Sequence, residues 1–195
     1  MTSVDLQPAA RRMADLIANV PDDRLDGPTP CPDYTLRDLV EHVDGLSLAF
    51  AAAAAKDVGQ LTEGAPAGDG QRLADGWRTR IPQQLAAMAA AWQDPDAWQG
   101  MTRAGGIDLP GEVAGVVALD ELVIHGWDVA RASGQDYDCD PAALEAIHGF
   151  VAEVAAAGEE GRQGLFGPPV DVDDSAPLLD RVIGLTGRDP AWSPA

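Results

Sequence analysis

Leu119-Asp120-Glu121-Leu122-Val123-Ile124-His125-Gly126-Trp127-Asp128 is an apolar stretch carrying a glutamate and a histidine four residues apart. Its apolar residues do not alternate as those of a half-buried strand would. They belong to a wider series, Val113, Val116, Val117, Leu119, Leu122, Val123 and Ile124, whose spacing predicts a helix from near Pro110 to about Ser133. Pro110 suits the first turn and Gly134 the C-terminal stop. A helix advances about 100° per residue, which puts Glu121 and His125 about 40° apart on one face, close enough to share a metal ion.

Other helices follow on both sides. Leu6, Ala9, Ala10, Met13, Leu16 and Ile17 form the stripe of an amphipathic helix over residues 5–19. Four prolines between Pro21 and Pro32 then forbid regular helix. A second helix starts near Thr35, where Thr35 and Asp38 resemble a capping box and Leu36, Leu39, Val40, Val43, Leu46 and Leu48 supply the apolar face. Past the break at residues 64–70, a third helix is expected from Gln71 to Trp92, kinked or divided at Pro82. Residues 94–110 read as a long loop or a weak two-stranded excursion. Asp140-Pro141 opens a fifth helix that runs to Ala156, and residues 177–185 form a short helix in a tail rich in Pro and Asp.

The chain therefore reads as all-α, a helical bundle. Its 195 residues suit one domain with a genuine core. The expected division is a metal-binding bundle over residues 1–158 and a C-terminal extension over 159–195 packed on it. A net charge of −19 repels DNA and anionic membranes, which excludes most nucleic-acid partners. The longest apolar run, Leu46 to Ala55, is too short to span a bilayer, and the N-terminus shows no secretory signal. A cytoplasmic protein is expected, with Cys31 and Cys139 as free thiols. No Walker loop, dinucleotide fingerprint or nucleophile elbow is present.

Bundle interiors are where facing helices bring His and Glu onto a common metal. His42, inside the second helix, is the third candidate ligand beside Glu121 and His125. One carboxylate and two imidazoles make a zinc-type set with an open position. From spacing alone such a pair is more often a surface pair; here its apolar setting argues for ligands. Asp128, three residues past His125, reads as an acceptor orienting an imidazole N–H, or else as a fourth ligand. Trp127 and Tyr34 read as packing residues, with Tyr34 better placed at a pocket mouth. Cys31 reads as structural, although a helix N-terminus lowers thiol pKa. His148, beside Glu145 without a matching segment, reads as a solvated surface histidine.

Thr29-Pro30-Cys31-Pro32-Asp33-Tyr34-Thr35-Leu36-Arg37-Asp38-Leu39-Val40-Glu41-His42-Val43 and Glu121-Leu122-Val123-Ile124-His125-Gly126-Trp127-Asp128-Val129-Ala130 resemble the two signature segments of the DinB-like superfamily. They are most similar to the branch of the mycothiol-dependent maleylpyruvate isomerase N-terminal domain and its small metal-binding relatives. Phe166-Gly167-Pro168-Pro169, Ala176-Pro177-Leu178-Leu179-Asp180-Arg181 and Thr186-Gly187-Arg188-Asp189-Pro190 resemble a metal-binding subfamily, so the similarity spans nearly the whole chain.

The resemblance implies a DinB-like four-helix bundle with an additional helix and a short C-terminal tail. It implies a divalent metal, usually zinc, held by His42, Glu121 and His125. The isomerase carries a larger C-terminal domain that contributes to its active site, whereas a short tail follows the bundle here. Two classes of function remain. One is a thiol-dependent S-transferase or isomerase, in which a metal-bound thiolate from a cosubstrate such as mycothiol attacks a small electrophile. The other is a non-catalytic metal-binding or small-ligand-sensing module. An apolar bundle face would also support a homodimer.

Overall fold

The computed structural model describes residues 3–194. Helix α1 (Gln7–Ala18) has Pro8 in its first turn and buries Met13, Leu16 and Ile17. Helix α2 (Leu36–Ala55) starts at a capping box: Thr35 Oγ1 accepts from the Asp38 N–H at 3.3 Å, and the Asp38 carboxylate accepts from the Thr35 N–H at 2.9 Å. Helix α3 spans Trp77–Ala91, and α4, Gly111–Ser133, ends at Gly134 in the left-handed conformation. Helices α1 and α2 each pack against both α3 and α4, which closes a four-helix bundle. Leu39, Val40, Ile81, Leu85, Leu119 and Val123 lie in its centre, essentially without solvent contact.

Helix α5 (Pro141–Ala156) is capped by Asp140, whose carboxylate accepts from the N–H groups of Ala142 and Ala143, and it packs on α4. The short α6 (Gly158–Arg162) follows, and α7 (Leu178–Leu185) packs on α5. The chain end returns to α4, where the Arg131 guanidinium donates to the carbonyls of Pro190 and Trp192.

Two expectations about the third helix change, and of the two readings offered for residues 94–110 the two-stranded one holds. The third helix begins at Trp77 rather than Gln71: Gly70–Arg72 form one 3-10 turn, and Gly76 at φ 75° breaks the chain before the helix. It runs undivided through Pro82, which has no N–H to give the Arg78 carbonyl. Residues 94–110 resolve to a 3-10 turn and an antiparallel hairpin, β1 (Met101–Ala104) and β2 (Ile107–Pro110). Gly105 and Gly106 carry positive φ in its two-residue turn. Thr102 Oγ1 ties the hairpin to α2 by donating to the Ala53 carbonyl at 2.6 Å. Helix α6 was not anticipated; five residues with two glycines carry no readable periodicity.

No helix among the described residues is long and apolar enough to cross a membrane. Thr35→Ala removes one half of the capping box and should cost about 1 kcal/mol in urea unfolding, while Thr35→Ser should be close to neutral.

Candidate metal centre

The long central helices place the site. His42 lies in the second turn of α2, and Glu121 and His125 lie midway along α4, on the helix faces that meet. Each offers one ligand atom, and the three atoms lie within 4.8 Å of one another. Glu121 Oε2 stands 3.1 Å from His125 Nε2 and 3.7 Å from His42 Nε2. The two rings meet edge to face, with centroids 4.9 Å apart. Both imidazoles are nearly buried, whereas the Glu121 side chain keeps 25% of its surface exposed and so marks the open side.

The opposite edge of each ring is held by a different device. His42 Nδ1 lies 2.7 Å from the carbonyl of Pro66, and a carbonyl only accepts, so this nitrogen carries the proton. His125 Nδ1 lies 2.9 Å from Asp128 Oδ2. Asp128 is fully buried, and Arg188 grips it with both prongs, Nε to Oδ1 and Nη2 to Oδ2, each at 2.8 Å. The guanidinium keeps Asp128 an anion, so His125 also donates through Nδ1. Both Nε2 atoms are thereby turned toward Glu121. Asp128 faces the far edge of the His125 ring, and Arg188 occupies both its oxygens. These contacts are of the kind expected from a residue that orients an imidazole.

Charge follows from this geometry. Burial raises the Glu121 pKa, but His125, hydrogen-bonded at 3.1 Å, and the neighbouring His42 outweigh it and hold this carboxyl well below the usual range. Burial likewise disfavours charged His125, yet its hydrogen bonds to Asp128 and Glu121 prevail and push it up to about 9. Burial would raise Asp128 too, but chiefly Arg188, with His125, holds it low. In the metal-free protein the cluster therefore retains a proton between two carboxylates. Asp120 behaves differently: burial, aided by the charge of Glu121, pushes it up to about 8. Its Oδ1 has no hydrogen-bond partner, which fits a neutral carboxyl.

Around the triad, the half-buried Tyr34 ring stands 5.3 Å from His42, and its hydroxyl accepts from the Gly68 N–H at 3.2 Å. Trp127 is buried beneath Arg131 and packs as expected. Burial raises the Cys31 thiol pKa, against the pull of Arg188. His148 sits partly exposed on α5, apart from the cluster. Inward from Glu121, an apolar cavity bounded by Val43, Leu46, Phe50 and Leu122 has a volume of about 10 Å³, room for one water.

Sequence reasoning missed Arg188, the Pro66 carbonyl and Asp120. Arg188 stood within a noticed tail segment, but nothing local to it names a partner sixty residues away. A backbone carbonyl leaves no residue-type signal at all.

The metal-free protein should lose stability as the pH rises. His125, raised from 6.5 to about 9, contributes stability that is complete below about pH 6.5 and gone above about pH 9. Asp120, raised from 3.8 to about 8, pushes the same way between those two values. Urea midpoints of the apoprotein should therefore fall from pH 6.5 to 9, and Asp128→Asn should lower the His125 titration midpoint seen by NMR.

Comparison with known proteins adds ancestry to this geometry. The profile of a family described as "Mycothiol maleylpyruvate isomerase N-terminal domain" matches residues 6–130. Two uncharacterized proteins, from two strains of Mycobacterium tuberculosis, are each 33% identical over 192 residues, covering 93% of this chain and 94% of the relative. A crystal structure of a histidine-to-alanine variant of the mycothiol-dependent maleylpyruvate isomerase superposes with a TM-score of 0.60. Its identity is 16%, over 78% of this chain and 69% of the other, a likeness of fold.

Proposed function

Because the chain belongs to the family of the mycothiol maleylpyruvate isomerase N-terminal domain and has its all-α, DinB-like fold, we propose that it binds a divalent ion and uses it to activate a small thiol. His42, Glu121 and His125 are the ligands in this reading, and zinc is the ion that best suits two imidazoles and a carboxylate. The observation that carries it is the pair of Nε2 atoms turned on one carboxylate oxygen while each Nδ1 donates elsewhere. A surface ion pair would need neither histidine buried nor both far edges fixed.

When bound, such an ion supplies the Lewis acidity that keeps a thiol ionised at neutral pH. The chain's residues prepare for it. Glu121, already an anion, offsets part of the ion's charge without protonation at working pH. His125 must give up the proton it holds, so ion affinity should climb as the pH approaches 9. Arg188 takes both oxygens of Asp128, which keeps that carboxylate off the ion and leaves a coordination position for a ligand from solution. The exposed side of Glu121, beside Tyr34, is the approach for a thiol of the mycothiol type and a small electrophile.

Elemental analysis of protein purified without a histidine tag should give about one zinc-type ion per chain, lost in His42→Ala and His125→Ala. Asp128→Asn and Arg188→Met should keep the fold and lose about 10- to 100-fold in ion affinity. For the thiol step, consumption of mycothiol with an electrophile should require both the ion and His42. Thiol consumption indifferent to His42→Ala would leave the second reading, a metal-binding or ligand-sensing module without catalysis.

A further inference from the structure

The two histidines are oriented by supports of different kinds, and that difference carries a further inference. His125 is held by a side chain locked to an arginine, inside the bundle. His42 is held by the main chain of a connecting segment, residues 62–70, which lies across α2 like a strap. One end is tied to the hairpin, where the Gly106 N–H donates to the Thr62 carbonyl at 2.8 Å. The other is tied to α2: the Asp69 N–H donates to Glu41 Oε2 at 2.9 Å and the Gly70 N–H to Asp38 Oδ1 at 2.7 Å. Arg72 closes this end with a two-pronged pair on Glu41. Asp38, Glu41, His42 and Gly45 recur at three- and four-residue spacing, so one stripe of α2 carries the anchors, the ligand and a gap.

The gap is Gly45. A Cβ built there would stand 2.8 Å from Pro66 Cβ, nearer than such atoms approach. Only glycine at 45 lets Pro66 settle low enough for its carbonyl to reach His42 Nδ1. We propose that the strap is the positioning element for His42, that Gly45 is the residue that lets it seat, and that unseating it releases the histidine from its metal-ready tautomer. The idea rests on His42 being a metal ligand, but its first consequence appears without any ion. In the seated state Nδ1 is protonated and Nε2 faces Glu121; once the carbonyl withdraws, neutral imidazole is free to place its proton on Nε2, the atom the ion needs.

The test uses the full chain with Gly45→Ala, Pro66→Gly and the double variant. Nitrogen-15 NMR of the apoprotein reads the His42 tautomer, and competition with a chelating dye reads zinc affinity. Gly45→Ala should shift His42 away from the Nδ1–H form and weaken zinc binding by about 10-fold or more, with helicity unchanged. Pro66→Gly keeps the carbonyl and removes the atoms a new Cβ would strike, so Gly45→Ala/Pro66→Gly should bind zinc as tightly as Pro66→Gly alone. An unchanged tautomer and affinity in folded Gly45→Ala overturns the proposal, as does a loss that Pro66→Gly fails to relieve. Should Gly45→Ala not fold, Gly68→Ala lifts the strap from its own side, because a Cβ there would lie 2.5 Å from the Asp38 carbonyl oxygen, and the same His42 shift is expected. A tautomer shift in protein that binds no zinc would sustain the strap's role while refuting the metal reading.

Discussion

Each imidazole at the centre of this bundle gives its Nδ1 proton to an acceptor outside the cluster, and much of the site's form follows from that constraint. With Nδ1 committed, only Nε2 remains to face Glu121, and two such atoms on opposing helices define a single point in space. The acceptors explain otherwise isolated features. Asp128 is buried because it must meet His125, Arg188 is buried because Asp128 needs a counter-charge, and the chain end returns to α4 to deliver Arg188.

Buried charges are costly unless they are paired and hydrogen-bonded. Here they form a continuous series: Arg188 on Asp128, Asp128 on His125, His125 on Glu121, Glu121 toward His42. In the metal-free state the excess proton on His125 lies between Asp128 and Glu121 and neutralises part of their charge. A divalent ion among the Nε2 atoms would replace that proton and satisfy the same carboxylate with a larger charge. On the proposed reading, metal and proton would compete for the same site. Asp120, one residue from Glu121, shows the contrast: burial and the charge of Glu121 outweigh the pull of Arg188 and His125 and push its pKa up to about 8.

Much of the fold was legible in the chain because the helices advertise themselves by period and punctuation. The Thr35–Asp38 box, the Asp140-Pro141 cap and Gly134 marked ends that the structure keeps. The start of the third helix was misread because apolar residues such as Leu73 keep helical spacing while Gly70 and Gly76 bend the backbone through a 3-10 turn. The triad was legible too, Glu121 and His125 from their spacing, His42 from its place in a second helix. Asp128 was readable as the support of His125 because helical geometry alone puts residues three apart on one face.

What the sequence determined by itself is whatever depends on neighbours along the chain: helical periods, caps, and the sharing of one helix face by Glu121, His125 and Asp128. Tertiary structure alone decided that α2 and α4 meet at the depth of His42, that Arg188 crosses from the chain end to Asp128, and that a strap carbonyl holds His42. The physical reason is the range of the interactions. Helix periodicity and capping act within a few residues, whereas a charge pair sixty residues apart, or a hydrogen bond to a main-chain oxygen that every residue possesses, acquires identity only when packing brings the partners together.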